Sequence, residues 1–194
     1  MARTKEFDRD EALKRAMLVF WEKGYEATST DDLLRAMGIG RQSMYDTFGD
    51  KRRIYLEALR YYQAETGAEL FENLRTAASP LSAIGKVLLA IADQSPSELA
   101  RGCLSVNATA ELATLDPEVA SMVKSASMLC EAAFERVVQE AKRKGEVRAS
   151  ADERAAGRFL LSTIRGMRIS AKAGSTPEAL RDIALFALEG LKAS

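Results

Sequence analysis

The sequence predicts an all-α protein of about nine helices. Three observations carry that prediction. Each of the four prolines follows a residue that caps helices. Basic residues followed by glycine mark helix ends. No sustained alternation of Val, Ile and Thr marks a strand. Pro80, Pro96, Pro117 and Pro177 stand directly after Ser79, Ser95, Asp116 and Thr176. Proline costs no hydrogen bond at the first helical position, because its missing N–H has no intrahelical partner there. The side chain before it can accept from the free N–H groups that follow.

Taken in order, the first helix is expected over 8–23, opened by Asp8 with Glu11 at capping-box spacing and closed by Lys23-Gly24. Leu13, Ala16, Met17 and Phe20 recur on one face, with Trp21 beside them, as a core stripe does. Two short helices over 29–37 and 41–47 follow, then a long one over 50–75. Helices over 80–94, 96–114 and 117–144 begin at their prolines, and Lys142-Arg143-Lys144-Gly145 closes the last of these. Ser150 with Glu153 has the capping-box spacing for a helix over 151–172. Thr176-Pro177 opens the final helix over 177–191. No flexible linker separates these elements, so residues 1–50 are expected to join residues 51–194 through the long helix.

Composition narrows the function. The 194 residues carry 28 basic and 28 acidic side chains, and residues 1–55 hold 11 and 10, so no broad basic surface is expected. There is no histidine, which removes the commonest general base and the commonest metal ligand, and with them Ser–His and Cys–His catalysis. No metal or cofactor motif is present. No apolar run is long enough for a membrane helix, and residues 1–12 lack the apolar stretch of a signal peptide. Two cysteines, Cys103 and Cys130, make no disulfide framework. A cytoplasmic location is the expectation.

Residues 24–53, GYEATSTDDLLRAMGIGRQSMYDTFGDKRR, have the layout of a helix-turn-helix. Ser29 caps the first of its helices, with Asp32 at the capping-box position. Leu33, Leu34 and Met37 point inward. Gly38-Ile39-Gly40 makes the turn: Gly38 supplies a positive φ, Ile39 plugs the space between the helices, and Gly40 is the cap of the next helix. That helix opens with Arg41, Gln42 and Ser43, which have the hydrogen-bonding groups to read guanine, adenine and either base. Met44 and Phe48 have the spacing of inward-facing residues. Tyr45 offers a hydroxyl to a phosphate, and Lys51 stands in the first turn of the long helix, where it can clamp one.

Gly24-Tyr25, Thr28-Ser29, Leu33, Gly38-Ile39, Tyr45, Phe48 and Lys51 together resemble the TetR family of repressors over about residues 8–55. The resemblance implies a three-helix DNA-binding domain at 1–50 and a helical effector-binding and dimerisation domain at 51–194. It implies a homodimer on a palindromic operator in double-stranded DNA, released by a small-molecule effector. Carried over by position, Arg41, Gln42 and Ser43 read bases, while Thr28, Tyr45, Thr47 and Lys51 contact the backbone. Two positions depart from the family pattern: Gly40 replaces a common Ser, and Thr47 a common His.

For the body, an effector pocket is expected among helices 50–144, with Tyr61, Phe71, Cys103, Asn107, Glu111, Met122, Met128 and Phe134 as candidate lining, and Met167 from the following helix. Asn107 and Glu111, four residues apart, can orient a polar ligand or cap each other. Phe159, Leu160, Thr163, Ile164 and Met167, with Leu180, Ile183, Ala184, Ala187, Leu188 and Leu191, form stripes suited either to core packing or to the dimeric four-helix bundle that the resemblance implies. The segment Arg101-Gly102-Cys103-Leu104-Ser105-Val106-Asn107 resembles a Gly-Cys-Leu-x-x-Asn segment of one subset of such regulators, some of which respond to electrophiles or oxidants through cysteine. Cys103 is therefore open to three readings: a packed thiol, a sensor, or a pocket wall. The rivals to a regulator are an all-α enzyme or carrier, and a protein-interaction module.

Overall fold

The computed structural model describes residues 7–193, and among them the structure is helical throughout. The helices are α1 Arg9–Lys23, α2 Thr30–Met37, α3 Arg41–Phe48, α4 Lys51–Thr76, α5 Pro80–Ala92, α6 Pro96–Arg101, α7 Leu104–Leu112, α8 Pro117–Arg143, α9 Glu153–Lys172 and α10 Pro177–Glu189. All four prolines occupy first helical positions behind the expected caps. Gly24 and Gly145 take positive φ values of 83° and 74° at the expected stops.

Two boundaries differ from expectation. The helix expected over 96–114 is two helices, because Gly102 adopts φ 71° and its N–H closes α6 on the Glu98 and Leu99 carbonyls. Arg101-Gly102 is the same basic-residue-then-glycine signal that ends α8. The helix expected from Ser150 starts two residues later, capped by Asp152, whose side chain accepts from the Ala155 N–H. Residues 148–151 form a turn instead. The Ala151 N–H bonds the Arg148 carbonyl, and the Ala151 carbonyl accepts from Lys142 Nζ at 2.8 Å.

The helices pack around two hydrophobic centres. The first joins Leu13, Ala16, Phe20, Leu33, Met37, Met44 and Phe48 to Ile54–Tyr62 of α4, to Leu104, Ala108 and Leu112 of α7, and to Val119 and Val123 of α8. The second joins Ile84, Leu88 and Ile91 to Phe134, Val138, Leu160, Met167, Leu180, Ala184 and Leu188. Helix α4 serves both, since Leu70 and Leu74 near its end pack on the second centre. Near the C-terminus an isolated antiparallel bridge pairs Val147 with Lys192.

Helices α8 and α9 approach closely at Gly157. A Cβ there would stand 2.9 Å from the Glu131 carbonyl oxygen and 3.2 Å from the Glu135 nitrogen, both backbone atoms that cannot rotate away. Gly157→Ala is therefore expected to destabilise the protein: overpacking costs about 1–3 kcal/mol, against a helix-propensity gain of about 1 kcal/mol. Gly67→Ala in α4, where nothing lies within 4 Å, keeps only the propensity gain and should stabilise. Urea denaturation midpoints of the two variants should move in opposite directions.

Candidate nucleic-acid interface

The helix-turn-helix is fixed at each joint by local chemistry. The Ser29 and Asp32 side chains each accept from the other's backbone N–H at 3.1 Å, closing the expected capping box. Lys23 Nζ, at the end of α1, lies 2.8 Å from Asp32 Oδ1. The Lys23 ammonium and the Ser29 hydroxyl hold the Asp32 carboxyl well below the usual carboxylate range. Gly38 turns the chain with φ 68°, and Ile39 packs half-buried against the core.

Helix α3 then presents two faces. Met44 and Phe48 are buried. Arg41, Gln42, Tyr45 and Asp46 are exposed, with Ser43 and Thr47 half-buried beside them. Gly40 gives the helix no side-chain cap. The N–H groups of its first turn are left for an incoming acceptor, with the positive end of the helix dipole behind them. In the free protein two carboxylates hold the first side chains of α3: Arg41 Nη2 lies 2.6 Å from Asp31 Oδ1, and Gln42 Nε2 lies 2.8 Å from Asp46 Oδ1.

Lys51 occupies the first turn of α4. Its Nζ stands 4.4 Å from the centroid of the Tyr25 ring and donates to the Glu26 carbonyl at 3.5 Å. Arg53, exposed on the same turn, pairs with no carboxylate among the described residues and is a cation that family position did not assign. Arg52 does not share that freedom. It is bidentate to Asp116, at 2.7 and 3.0 Å, and also reaches Glu118, joining the start of α4 to the start of α8. The Arg52 guanidinium holds the Asp116 carboxyl below its usual value. This pair's contribution to stability is thus complete above the ordinary carboxylate range and is lost as pH falls through the depressed value.

Thr28 is corrected. Its side chain is buried and its hydroxyl donates to the Gly24 carbonyl at 2.6 Å, so it braces the α1–α2 loop from within instead of facing a phosphate.

Comparison with known proteins decides what this arrangement belongs to. Residues 12–58 match the bacterial regulatory proteins of the tetR family, and residues 77–185 match the tetracyclin repressor-like C-terminal domain. The chain belongs to the TetR family. This TetR-family protein is a DNA-binding transcriptional regulator and not an enzyme. An uncharacterised HTH-type transcriptional regulator of Bacillus subtilis, YezE, is 35% identical over 184 residues, covering 94% of this chain and 95% of that protein. The Escherichia coli HTH-type transcriptional repressor ComR is 34% identical over 187 residues, covering 94% and 88%. Among solved structures, a cysteine-substituted CifR regulator complexed with a 26-bp double-strand operator superposes with TM-score 0.84 at 29% identity, covering 97% and 99% of the two chains. A TetR-family regulator from Agrobacterium tumefaciens, at TM-score 0.85 and 20% identity, shares the fold.

In the body of this TetR-family regulator the nine expected pocket residues do not gather around one cavity. Tyr61 lines a cleft of about 370 Å³ between α1 and α4, with Lys14, Met17, Trp21, Tyr62 and Glu65. Phe134 and Met167 are fully packed in the second core, whereas Phe71 and Met128 are exposed. Met122 packs half-buried on the first core. Cys103 is half-buried at the α6–α7 break, with the Tyr62 hydroxyl 3.4 Å from its sulfur. Asn107 Oδ1 accepts from Lys172 Nζ at 3.0 Å. Glu111 neither caps Asn107 nor faces a pocket: its carboxylate accepts the backbone N–H groups of Tyr25 and Glu26. Burial raises the pKa of the Tyr62 phenol far above its ordinary value, with the Cys103 contact adding to it.

The expected dimer stripes are also divided. Leu160, Met167, Leu180, Ala184, Ala187, Leu188 and Leu191 are buried within the chain, because each of the two helices has an inner apolar face against α5 and α8. Ile164 and Thr163 are half-buried. Phe159 and Ile183 do lie outside, joined by Ile169 and Phe186, which the stripe missed; Phe186 is 83% exposed.

Thr28→Val should lower stability by about 1–3 kcal/mol, because it leaves the Gly24 carbonyl without its buried donor. Under conditions where the variant is fully folded, it should still bind duplex DNA, because no side-chain contact to a phosphate is removed. A binding isotherm alongside a thermal melt checks both.

Proposed function

We propose that this regulator is a cytoplasmic homodimeric repressor that holds a palindromic operator with two α3 helices and releases it when a small-molecule effector binds the body. The observation that carries the reading is the exposed face of α3. Arg41, Gln42 and Tyr45 stand outward over a fully packed Met44 and Phe48, beside an uncapped helix start and next to Lys51 and Arg53. A recognition helix enters the major groove with such N-terminal side chains against base edges, while neighbouring cations and N–H groups take phosphates. The operator-bound CifR structure, similar over nearly the whole chain, supports the same docking here.

The outer faces of α9 and α10 support the dimer. Ala155, Phe159, Ser162, Gly166 and Ile169 follow one another along α9. Ala179, Ile183, Phe186 and Gly190 do so along α10, all exposed. Phe159 and Phe186 flank one cleft of about 380 Å³. Binding a palindromic operator requires two recognition helices about 34 Å apart, the spacing of successive major grooves, and so requires a second copy.

The α1–α4 cleft supports a place for the effector. It is mostly apolar, and the Nε1–H of Trp21 is buried without a partner among the described residues, a donor that a ligand carbonyl can satisfy. A ligand between α1 and α4 bears on the helix that carries Lys51. It releases DNA only by binding the released state more tightly than the gripping one. A second reading, release through modification of Cys103, rests on its place at the α6–α7 break. The neighbour of its sulfur is a neutral phenol. Arg101 lies over the Trp21 ring and Lys172 bonds Asn107, so neither cation is committed to the sulfur.

Arg41→Ala and Tyr45→Ala should each abolish tight operator binding with the fold retained, measured by anisotropy on a duplex selected by the protein itself. Lys51→Ala should weaken binding across sequences and reduce the slope of log affinity against log salt by about 1. Phe186→Glu should convert the dimer to monomer in sedimentation, and a dimer that survives it would place the interface elsewhere. Cys103→Ser should remove any oxidant-induced release; unchanged release would end that second reading.

A further inference from the structure

We infer that Glu111 is a positioning residue for DNA binding: its carboxylate sets the loop on which Lys51 rests, making α7 a second connection, besides α4, between the body and the DNA-binding head. The inference rests on the reading of Lys51 as a phosphate contact.

The geometry is specific. Glu111 Oε2 accepts from the Tyr25 N–H at 3.0 Å, and Oε1 from the Glu26 N–H at 2.8 Å. One carboxylate thus takes two successive amides of the α1–α2 loop, residues 86 and 85 positions away in sequence. Bonds to an ionised acceptor are about twice as strong as neutral ones, and two parallel bonds fix direction as well as distance. Gly24 makes the approach possible. A Cβ at this residue would stand 3.1 Å from Glu111 Oε2, and its φ of 83° turns the chain so that the next two amides face α7.

The same two residues carry Lys51. Its ammonium lies over the Tyr25 ring and bonds the Glu26 carbonyl, so Glu111 holds the backbone of the platform whose other side holds the cation. Thr28 braces the loop from beneath through Gly24. The far end of α7 is tied to the body in turn. Tyr62 of α4 contacts Cys103, and Lys172 at the end of α9 donates to Asn107. Leu104, Ala108 and Leu112 bury the helix in the first core between these two ends. A shift of α7 along its axis therefore moves the Tyr25–Glu26 platform directly, without α4 having to bend.

The test uses the full chain and a duplex selected from a random-sequence library by the unsubstituted protein. Glu111→Gln keeps the size but turns an N–H₂ toward one loop amide. Glu111→Asp keeps the charge but falls one methylene short. Both are expected to lower duplex affinity on the order of tenfold and to speed hydrogen exchange at the Tyr25 and Glu26 amides, with circular dichroism unchanged. In combination with Lys51→Ala, either substitution should cost little more than Lys51→Ala alone, because both act through one contact. Unchanged affinity for both folded variants, or losses that add fully to that of Lys51→Ala, would overturn the inference. If Lys51→Ala itself leaves affinity and salt slope unchanged, the phosphate-contact reading fails and takes this inference with it. An effective Lys51→Ala beside a neutral Glu111→Gln removes the inference alone.

Discussion

Everything in this molecule depends on α4 being a wall of two cores at once. Its first half, Ile54 to Tyr62, closes the hydrophobic centre of the DNA-binding head, while Leu70 and Leu74 belong to the centre of the body. Close-packed interiors do not deform continuously; they hold one arrangement or change to another. A rigid element shared by two such interiors cannot change its angle in one without repacking the other. That is the mechanical condition for a signal in the body to be felt at α3.

The head is accordingly not a self-sufficient unit. Phe20, Tyr25 and Tyr55 meet edge-on and stacked at ring distances of 5.0–6.2 Å, and Leu104, Ala108 and Leu112 of α7 complete the same cluster. Polar ties run alongside this packing: Arg9 to Glu57, Arg52 to Asp116 and Glu118, and Glu111 to the α1–α2 loop. The ion pairs are partly exposed and each contributes modestly to stability. Their effect is on orientation: apolar contact fixes how much surface is buried, and directional bonds fix which way the head points.

Local signals were legible in the chain, and long-range ones were not. Ser79-Pro80 and Thr176-Pro177 declare helix starts because cap and proline act within one turn. The Gly38 turn and the inward Met44 and Phe48 were readable for the same reason, as was the outward set of Arg41, Gln42 and Tyr45. Ser150 misled because its claim to be a cap loses to a tertiary contact, Lys142 on the Ala151 carbonyl. Helix α9 misled differently. Periodicity shows that Leu160 and Phe159 lie on apolar stripes, but not that one faces α5 and α8 while the other is left outside. Glu111 carried no local signal at all, since its partners are backbone amides more than eighty residues away. The Gly102 break has a local signal too, since Arg101-Gly102 has the form of Lys144-Gly145.

The carboxylates that hold Arg41 and Gln42 in the free protein have a bearing on how a site is found. Asp31 and Asp46 keep these two side chains folded against α2 and α3 until something offers better partners. On the proposed docking, an anonymous stretch of duplex offers phosphates to Lys51 and the open helix start, but no matched base edge to draw Arg41 and Gln42 out. Each exchange is worth less than about 1 kcal/mol at the surface, too little to weaken a correct site appreciably. Across the millions of incorrect sites in a chromosome, the same small bias accumulates, because occupancy there is set by abundance as much as by affinity. On the proposed docking, a head of nearly balanced charge whose Arg41 and Gln42 start out occupied would let go of such sites quickly. Its economy lies in the time it does not spend on the wrong DNA.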